Sequence, residues 1–440
     1  MSAKKFDIAV RCGHLLTMAP GQNTAVKDQL IGIVGTKIEW MGSPSSIEWT
    51  AEKTIDASRK IVMPGLINGH THLPMSLFRG LADDLPFEEW LHKYILPLEG
   101  RLVSPEFVRV GTELAALECI QRGVTTVCDM YYFEDEIADV LDKAGLRALV
   151  GETVADFPQP DDKEKKGENY AILERMITKY GREGRIIPTV APHAPYTCSD
   201  ETLTQALTFA RKHHIPITIH VSETKAEVAA SLKQFDMSPV ERLQKLGFGE
   251  YNRCIYAHCV HLSDKDIAIL AKDKTGVVHN PESNMKLGSG TAPVRELLAK
   301  GVIMGIGTDG AASNNDLNLF GEMDTACKLQ KLAHADNTAM TAIQALRMAT
   351  EGGAQALGID AYVGSLEPGK YADLIVVDTD SVNMQPLHNP ASQLVYATTG
   401  TEVETVICHG KILMEEWNIL TLNRRDIFAR VNRYREKMSF

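Results

Sequence analysis

Val62-Met63-Pro64-Gly65-Leu66-Ile67-Asn68-Gly69-His70-Thr71-His72 is an apolar run that stops on two histidines one residue apart. In an extended strand residues i and i+2 share a face, so both imidazoles can reach a single ion. An apolar body with a polar carboxyl end is the pattern of a β/α-barrel strand whose end carries ligands, because barrel active sites sit at that rim. His-x-His also arises by chance in a chain with 14 histidines. What surrounds the run therefore decides its meaning.

Outward from it, apolar strand-like runs alternate with amphipathic helical segments, the signature of a parallel sheet. Strands are expected at residues 61–72, 124–130, 147–154, 186–193, 216–223, 254–260, 276–280 and 302–309. Helical patterns separate them at 105–122, 135–144, 169–180, 201–213, 240–246, 264–272 and 292–300, and a longer helical block covers 317–357. Eight strands of this kind predict a (β/α)8 TIM barrel. Both chain ends are strand-rich, with short strands at 6–11, 29–34 and 37–41 and again at 372–378, 403–408 and 411–414. Chain ends commonly lie close together. The expected organisation is therefore a small β-sandwich domain from residues 1–62 and 368–420, a barrel from 63–367, and a C-terminal helix in 421–440. The charge cluster Asp161-Asp162-Lys163-Glu164-Lys165-Lys166 reads as a solvated turn.

With 440 residues, 44% of them hydrophobic, the chain can bury a large core. A formal net charge of -11 disfavours a nucleic-acid surface and suits a neutral or cationic small molecule. The eight cysteines are scattered, without the spacing of a disulfide framework or zinc ribbon, and read as reduced core thiols. No apolar run approaches the roughly 20 residues that span a bilayer, and the N-terminus lacks the apolar core of a signal peptide. A cytoplasmic protein with no membrane partner is the expectation.

Ligand-capable residues recur at the expected strand ends: His70 and His72 on the first, His193 on the fourth, His220 on the fifth, His258 on the sixth and Asp309 on the eighth. A closed barrel brings those ends together. His92, His213, His214, His334, His388 and His409 fall on helices and loops and read as surface or packing residues. Five histidines and an aspartate on one rim are hard to explain by packing. His279 and Asn280 end the seventh strand and carry two readings, lining a pocket or holding loops together. Trp90, in an amphipathic segment, either covers the site or belongs to the core.

Several longer runs carry a resemblance. Pro64 to His72, Leu77-Phe78-Arg79-Gly80-Leu81-Ala82-Asp83-Asp84-Leu85-Pro86 and Ala257-His258-Cys259-Val260 are three of them. His279-Asn280-Pro281-Glu282-Ser283-Asn284-Met285-Lys286-Leu287-Gly288 and Gly307-Thr308-Asp309-Gly310-Ala311-Ala312-Ser313-Asn314-Asn315 are the others. Over nearly its whole length the chain resembles the amidohydrolase superfamily, and within it the 5'-methylthioadenosine/S-adenosylhomocysteine deaminase group. The resemblance implies a metal held by His70, His72, His220 and Asp309. Three imidazoles and a carboxylate suit one Zn2+ and leave a position for water, and Fe2+ would accept the same set. Val190-Ala191-Pro192-His193 offers no lysine for a two-metal bridge. The resemblance also makes Glu223 the acid/base that carries a proton to a ring nitrogen. It makes His258 the group that orients the attacking water, and Asp309 both ligand and acceptor for that water. Glu99 is implied to accept the paired hydroxyls of a ribose and His193 to donate to ring or sugar.

The implied activity is that of a hydrolase on C–N bonds of cyclic amidines: deamination of 5'-methylthioadenosine, S-adenosylhomocysteine, adenosine or 5'-deoxyadenosine to the inosine-type product. Alternatives on the same site are a deaminase of guanine, 8-oxoguanine or a pterin, and a triazine chlorohydrolase; a non-catalytic barrel scaffold is the alternative of another class. Where S-adenosylhomocysteine deaminases are expected to offer arginines to the amino-acid tail, this chain reads Glu152 and Glu168. Those glutamates are expected to repel the tail carboxylate. Pairing into a homo-oligomer is an expectation by analogy with related barrels.

Overall fold

The protein is described here from a computed structural model covering residues 3–86, 89–162 and 167–438. Strand β1 (Lys4–Leu15) pairs antiparallel with β2 (Val26–Val34) and parallel with β4 (Trp49–Pro64), while β3 (Lys37–Gly42) continues the sheet from β2. The chain then enters eight parallel strands: β5 (Leu66–Thr71), β6 (Val124–Tyr131), β7 (Arg147–Val154), β8 (Ile186–Pro192), β9 (Ile217–Val221), β10 (Cys254–His258), β11 (Gly276–His279) and β12 (Ile303–Ile306). Their residues are buried almost without exception, as continuous apolar runs covered on both faces must be. The chain finally returns to the first sheet as β13 (Leu374–Val377), β14 (Val403–Cys408), β15 (Lys411–Glu415) and β16 (Asn418–Ile419), followed by a helix at Arg424–Lys437.

Closure of the parallel sheet rests on the junction of β5 with β12. The Asp309 N–H donates to His70 O at 3.0 Å, and Asn68 exchanges hydrogen bonds with Thr308, Nδ2 to Oγ1 at 2.8 Å and Thr308 N–H to Oδ1 at 3.0 Å. Gly307 permits this approach, since a Cβ there would stand 2.7 Å from His70 N. The architecture is the expected (β/α)8 barrel. The other sheet rolls onto itself: Ile38 N–H donates to Lys370 O at 3.0 Å and Gly369 N–H to Ile38 O at 2.8 Å. It encloses a core of its own, including Val10, Ile31, Ile33, Val62, Leu374 and Ile407.

Two local expectations are corrected. Residues 61–72 are not one barrel strand. Val62, Met63 and Pro64 pair with Val376, Ile375 and Leu374 in the other sheet, and the barrel begins only at Leu66. The break falls at Gly65, where any Cβ would lie 2.2 Å from the side chain of Thr125. The second correction concerns Asp161, which is buried with its Oδ2 accepting the Phe133 N–H at 2.9 Å, so it is no solvated turn residue. Residues 163–166 of that cluster lie outside the described residues. The block 317–357 resolves into helices Leu319–His334, Ala342–Met348 and Glu351–Leu357. Among the described residues no helix is long and apolar enough to cross a membrane.

Candidate active site

The carboxyl ends of the barrel strands bring His70, His72, His193, His220, His258 and Asp309 around one point. Ring centroids of His70 lie 4.9 Å from His72, 4.8 Å from His220 and 5.5 Å from His258, and His193 lies 5.0 Å from His220. The Oδ1 of Asp309 is 3.2 Å from His72 Nε2 and 3.6 Å from His70 Nε2. Two overlapping triads, His70-His72-His220 and His70-His258-Asp309, have ligand atoms close enough to share a cation.

Backbone groups aim these rings. His72 Nδ1 meets Met130 O and His220 Nδ1 donates to His193 O at 2.7 Å, so both Nε2 atoms turn inward and stand 3.3 Å apart. A hydrogen bond on the outer nitrogen is what fixes a metal-ligating imidazole. Neither nitrogen of the fully buried His70 makes a hydrogen bond. Buried polar atoms without partners are costly, and a cation among these donors would satisfy them. The donor set thus fits a metal ion, and three imidazoles with one carboxylate match zinc chemistry.

Burial pushes the His70 imidazole down to about 4 and, helped by neighbouring imidazoles, His220 well below its usual value, so both rings are neutral at pH 7, the form that can bind a metal. Burial opposes protonation of His72 too, but the Asp309 carboxylate raises it to about 9. Burial likewise resists ionisation of Asp309, yet the imidazoles of His70 and His72 hold it well below the carboxylate range. Asp309 Oδ2 also accepts from Ser283 Oγ at 2.6 Å and Ser313 Oγ at 2.9 Å, and Oδ1 from Gly310 N–H at 2.8 Å. Ser222, His258 and Asp309 have φ of +54°, +72° and +62°. Left-handed non-glycine residues cost about 1–3 kcal/mol each, and such strain collects where geometry serves function.

Glu223 follows β9 with Oε2 3.9 Å from His258 Nε2. Its loop is clamped by Glu227, whose carboxyl accepts the N–H of Ser222 at 2.9 Å and of Glu223 at 2.8 Å. His72, His193, His220, Glu223, His258 and Asp309 open on a cavity of about 630 Å³, which Glu99, Trp90, Tyr131, Tyr132 and Phe157 also line. Trp90 both lines the cavity and packs into the main core. Glu99 accepts from Tyr131 OH at 2.6 Å, and burial raises its carboxyl to about 7 despite that bond. His193 Nδ1 pairs with Thr197 Oγ1 at 2.9 Å, and burial and the nearby imidazoles push the ring down to about 4.

His279 and Asn280 are fully buried and do not line the cavity, which corrects the pocket-lining reading of the two. The expected tail repulsion is also corrected. Glu152 does not line the cavity; its Oε2 accepts the Glu134 N–H at 2.9 Å. Burial and the adjacent Asp161 raise its carboxyl well above the usual range, so it carries little charge. Glu168 pairs with Arg175 at 2.8 Å, outside the cavity wall. Position after a strand does not reveal which way a side chain turns. Tyr131, Ser313 and Glu227 were not found from sequence. Tyr131 follows the apolar β6 run and offered no motif, whereas Glu227 stands four residues after Glu223, a spacing that could have flagged it.

Known proteins are similar to this chain over nearly its whole length. The model of the amidohydrolase family matches residues 61–413. A 5-methylthioadenosine/S-adenosylhomocysteine deaminase from Syntrophobacter fumaroxidans is 43% identical over 434 residues, covering 98% of both chains. A 5'-deoxyadenosine deaminase from Methanobrevibacter smithii is 40% identical over 415 residues, covering 94% of this chain and 93% of its own. The crystal structure of an adenosine deaminase from Xanthomonas campestris with bound zinc superposes with a TM-score of 0.95 at 36% identity, covering 99% of each chain.

Proposed function

Because this chain belongs to the amidohydrolase family, we propose that it is a metal-dependent aminohydrolase of adenine nucleosides, exchanging the C6 amino group for oxygen and releasing ammonia. The observation that carries this reading is one cavity lined both by members of an imidazole-carboxylate cluster and by the buried carboxyl of Glu99. His70, His72, His220 and Asp309 are the ligands in this reading, with Zn2+ the preferred ion and Fe2+ the alternative. A metal ion held by these residues would supply Lewis acidity to activate the water.

The chain's own residues handle protons and orientation. Glu223 takes a proton from the attacking water and delivers it to the ring nitrogen beside C6, so that addition leaves no charge on the ring. His258 and Asp309 orient the water, with His258 Nε2 accepting a hydrogen bond from it as it adds. The C6–N bond then breaks as the amino group takes the second water proton and leaves as ammonia. Glu99 accepts the two ribose hydroxyls and His193 donates to ring or sugar. Among the described residues the cavity wall has no lysine or arginine. That supports methylthioadenosine, adenosine and 5'-deoxyadenosine ahead of the charged tail of S-adenosylhomocysteine.

The test is ammonia release from chelated and zinc-restored protein over these four nucleosides, guanine and a triazine. Zinc-dependent release from nucleosides is expected. Equal turnover of free bases would remove the nucleoside assignment, and no metal-restored release from any of them would leave a barrel scaffold.

A further inference from the structure

Between β11 and β12 the chain reads Asn280-Pro281-Glu282-Ser283-Asn284-Met285-Lys286-Leu287-Gly288-Ser289-Gly290. Of these only Leu287 lines the cavity, yet three buried side chains reach the site from behind it. Ser283 Oγ donates to Asp309 Oδ2 at 2.6 Å, Asn284 Oδ1 lies 2.9 Å from His258 Nδ1, and Ser289 Oγ donates to Glu223 Oε1 at 3.1 Å. The segment is itself fastened. Ser289 N–H donates to Asn284 O at 2.9 Å, and His261 Nε2 stands 2.6 Å from Ser289 O. Gly288 and Gly290, with φ of +67° and +131°, let the chain reverse on either side of Ser289.

Each contact selects one atom of a two-faced group. A neutral imidazole carries its hydrogen on one nitrogen, and the hydrogen bond at the other end decides which. Asn280 Nδ2 also approaches His258 Nδ1, but at 3.4 Å it is further than Asn284 Oδ1 at 2.9 Å. The hydrogen therefore sits on Nδ1, and Nε2 faces Glu223 and the cavity with a free lone pair. A carboxylate has two equivalent oxygens until one is engaged. Ser289 holds Oε1, so Oε2, on the His258 side, is the oxygen free to take and pass a proton.

Resting on the deaminase reading above, we propose that Asn284 and Ser289 are positioning residues for proton transfer: Asn284 selects the His258 nitrogen that faces the cavity, and Ser289 selects the Glu223 oxygen that carries the proton. Neither touches substrate. Loss of either lets its partner rotate, which slows the chemical step without weakening nucleoside binding.

The experiment uses the full-length, zinc-loaded enzyme with adenosine, comparing Ser289→Ala with Ser289→Thr and Asn284→Leu with Asn284→Asp. The alanine and leucine variants are expected to lose about 10- to 100-fold in kcat, with KM within about twofold and zinc content unchanged, as for a lost general acid/base alignment. Ser289→Thr keeps the hydroxyl and Asn284→Asp keeps the acceptor, so both should recover most of that loss. Wild-type kcat in Ser289→Ala, a loss that tracks zinc content, or a threonine variant no better than alanine overturns the proposal. Should Asn284→Leu fail to fold, the serine pair decides alone. An inactive wild type instead overturns the deaminase reading itself.

Discussion

A carboxyl sealed under aromatic side chains gives up its proton late, and Glu99 is such a group, raised by burial to about 7. Only its ionised form offers both oxygens to a ribose diol. The sign follows directly: below about pH 7 one oxygen of Glu99 is occupied by a proton, and above it both accept. KM for adenosine is therefore expected to fall as pH rises from 6 to 8, while KM for a free base stays level. Tyr131→Phe removes the donor that favours ionisation, which moves this transition to higher pH and raises KM at pH 7 by about threefold. A KM unmoved by pH would show that Glu99 does not contact the sugar. Glu99→Ala should lower kcat/KM for nucleosides by about 100-fold and leave metal content intact, by steady-state kinetics and metal analysis of one preparation.

The weak point among the elements is the seam between β5 and β12, because it closes the barrel with few backbone bonds and carries His70 on one side and Asp309 on the other. Gly307 lies in that seam, with His70 N and Asn280 Oδ1 each 2.7 Å from where a Cβ would stand. Backbone cannot step aside cheaply. Gly307→Ala is expected to cost about 1–3 kcal/mol and to separate His70 from Asp309. Zinc content should drop along with Tm, whereas an alanine variant with full zinc occupancy would show that the seam yields elsewhere. The strand periodicity was legible from the apolar runs themselves. The split at Gly65 was not, because a strand of one sheet and the next strand of another can form one unbroken hydrophobic stretch.

In the whole molecule, barrel and composite sheet are joined on the side away from the site by Arg147, which is almost fully buried. It makes a two-pronged pair with Asp373, at 3.0 and 3.3 Å, and packs over the ring of Tyr371. Breaking a buried pair leaves one charge stranded, a loss of about 3–5 kcal/mol, whereas replacing both partners by apolar groups is often near neutral. Arg147→Leu should lower Tm by several degrees, and the double change with Asp373→Leu should recover much of it; zinc-dependent activity below Tm should persist in both. Removal of the proposed metal would act on the other face. A ligand that binds only the folded state stabilises it by mass action, so the chelated protein should melt lower and return on zinc addition. No shift on chelation would argue against a bound ion.

The sequence by itself determined the eightfold strand–helix alternation and the side chains at the strand ends, because strand periodicity and ligand chemistry are local properties of the chain. His70, His72, His220, His258 and Asp309 were legible for that reason. Only the tertiary structure decided which ring nitrogen faces inward and which oxygen of Glu223 is free. It also decided that Glu152 turns into the protein and away from the cavity. Those outcomes depend on partners such as Met130, Asn284, Ser289 and Asp161, which packing brings close from distant parts of the chain.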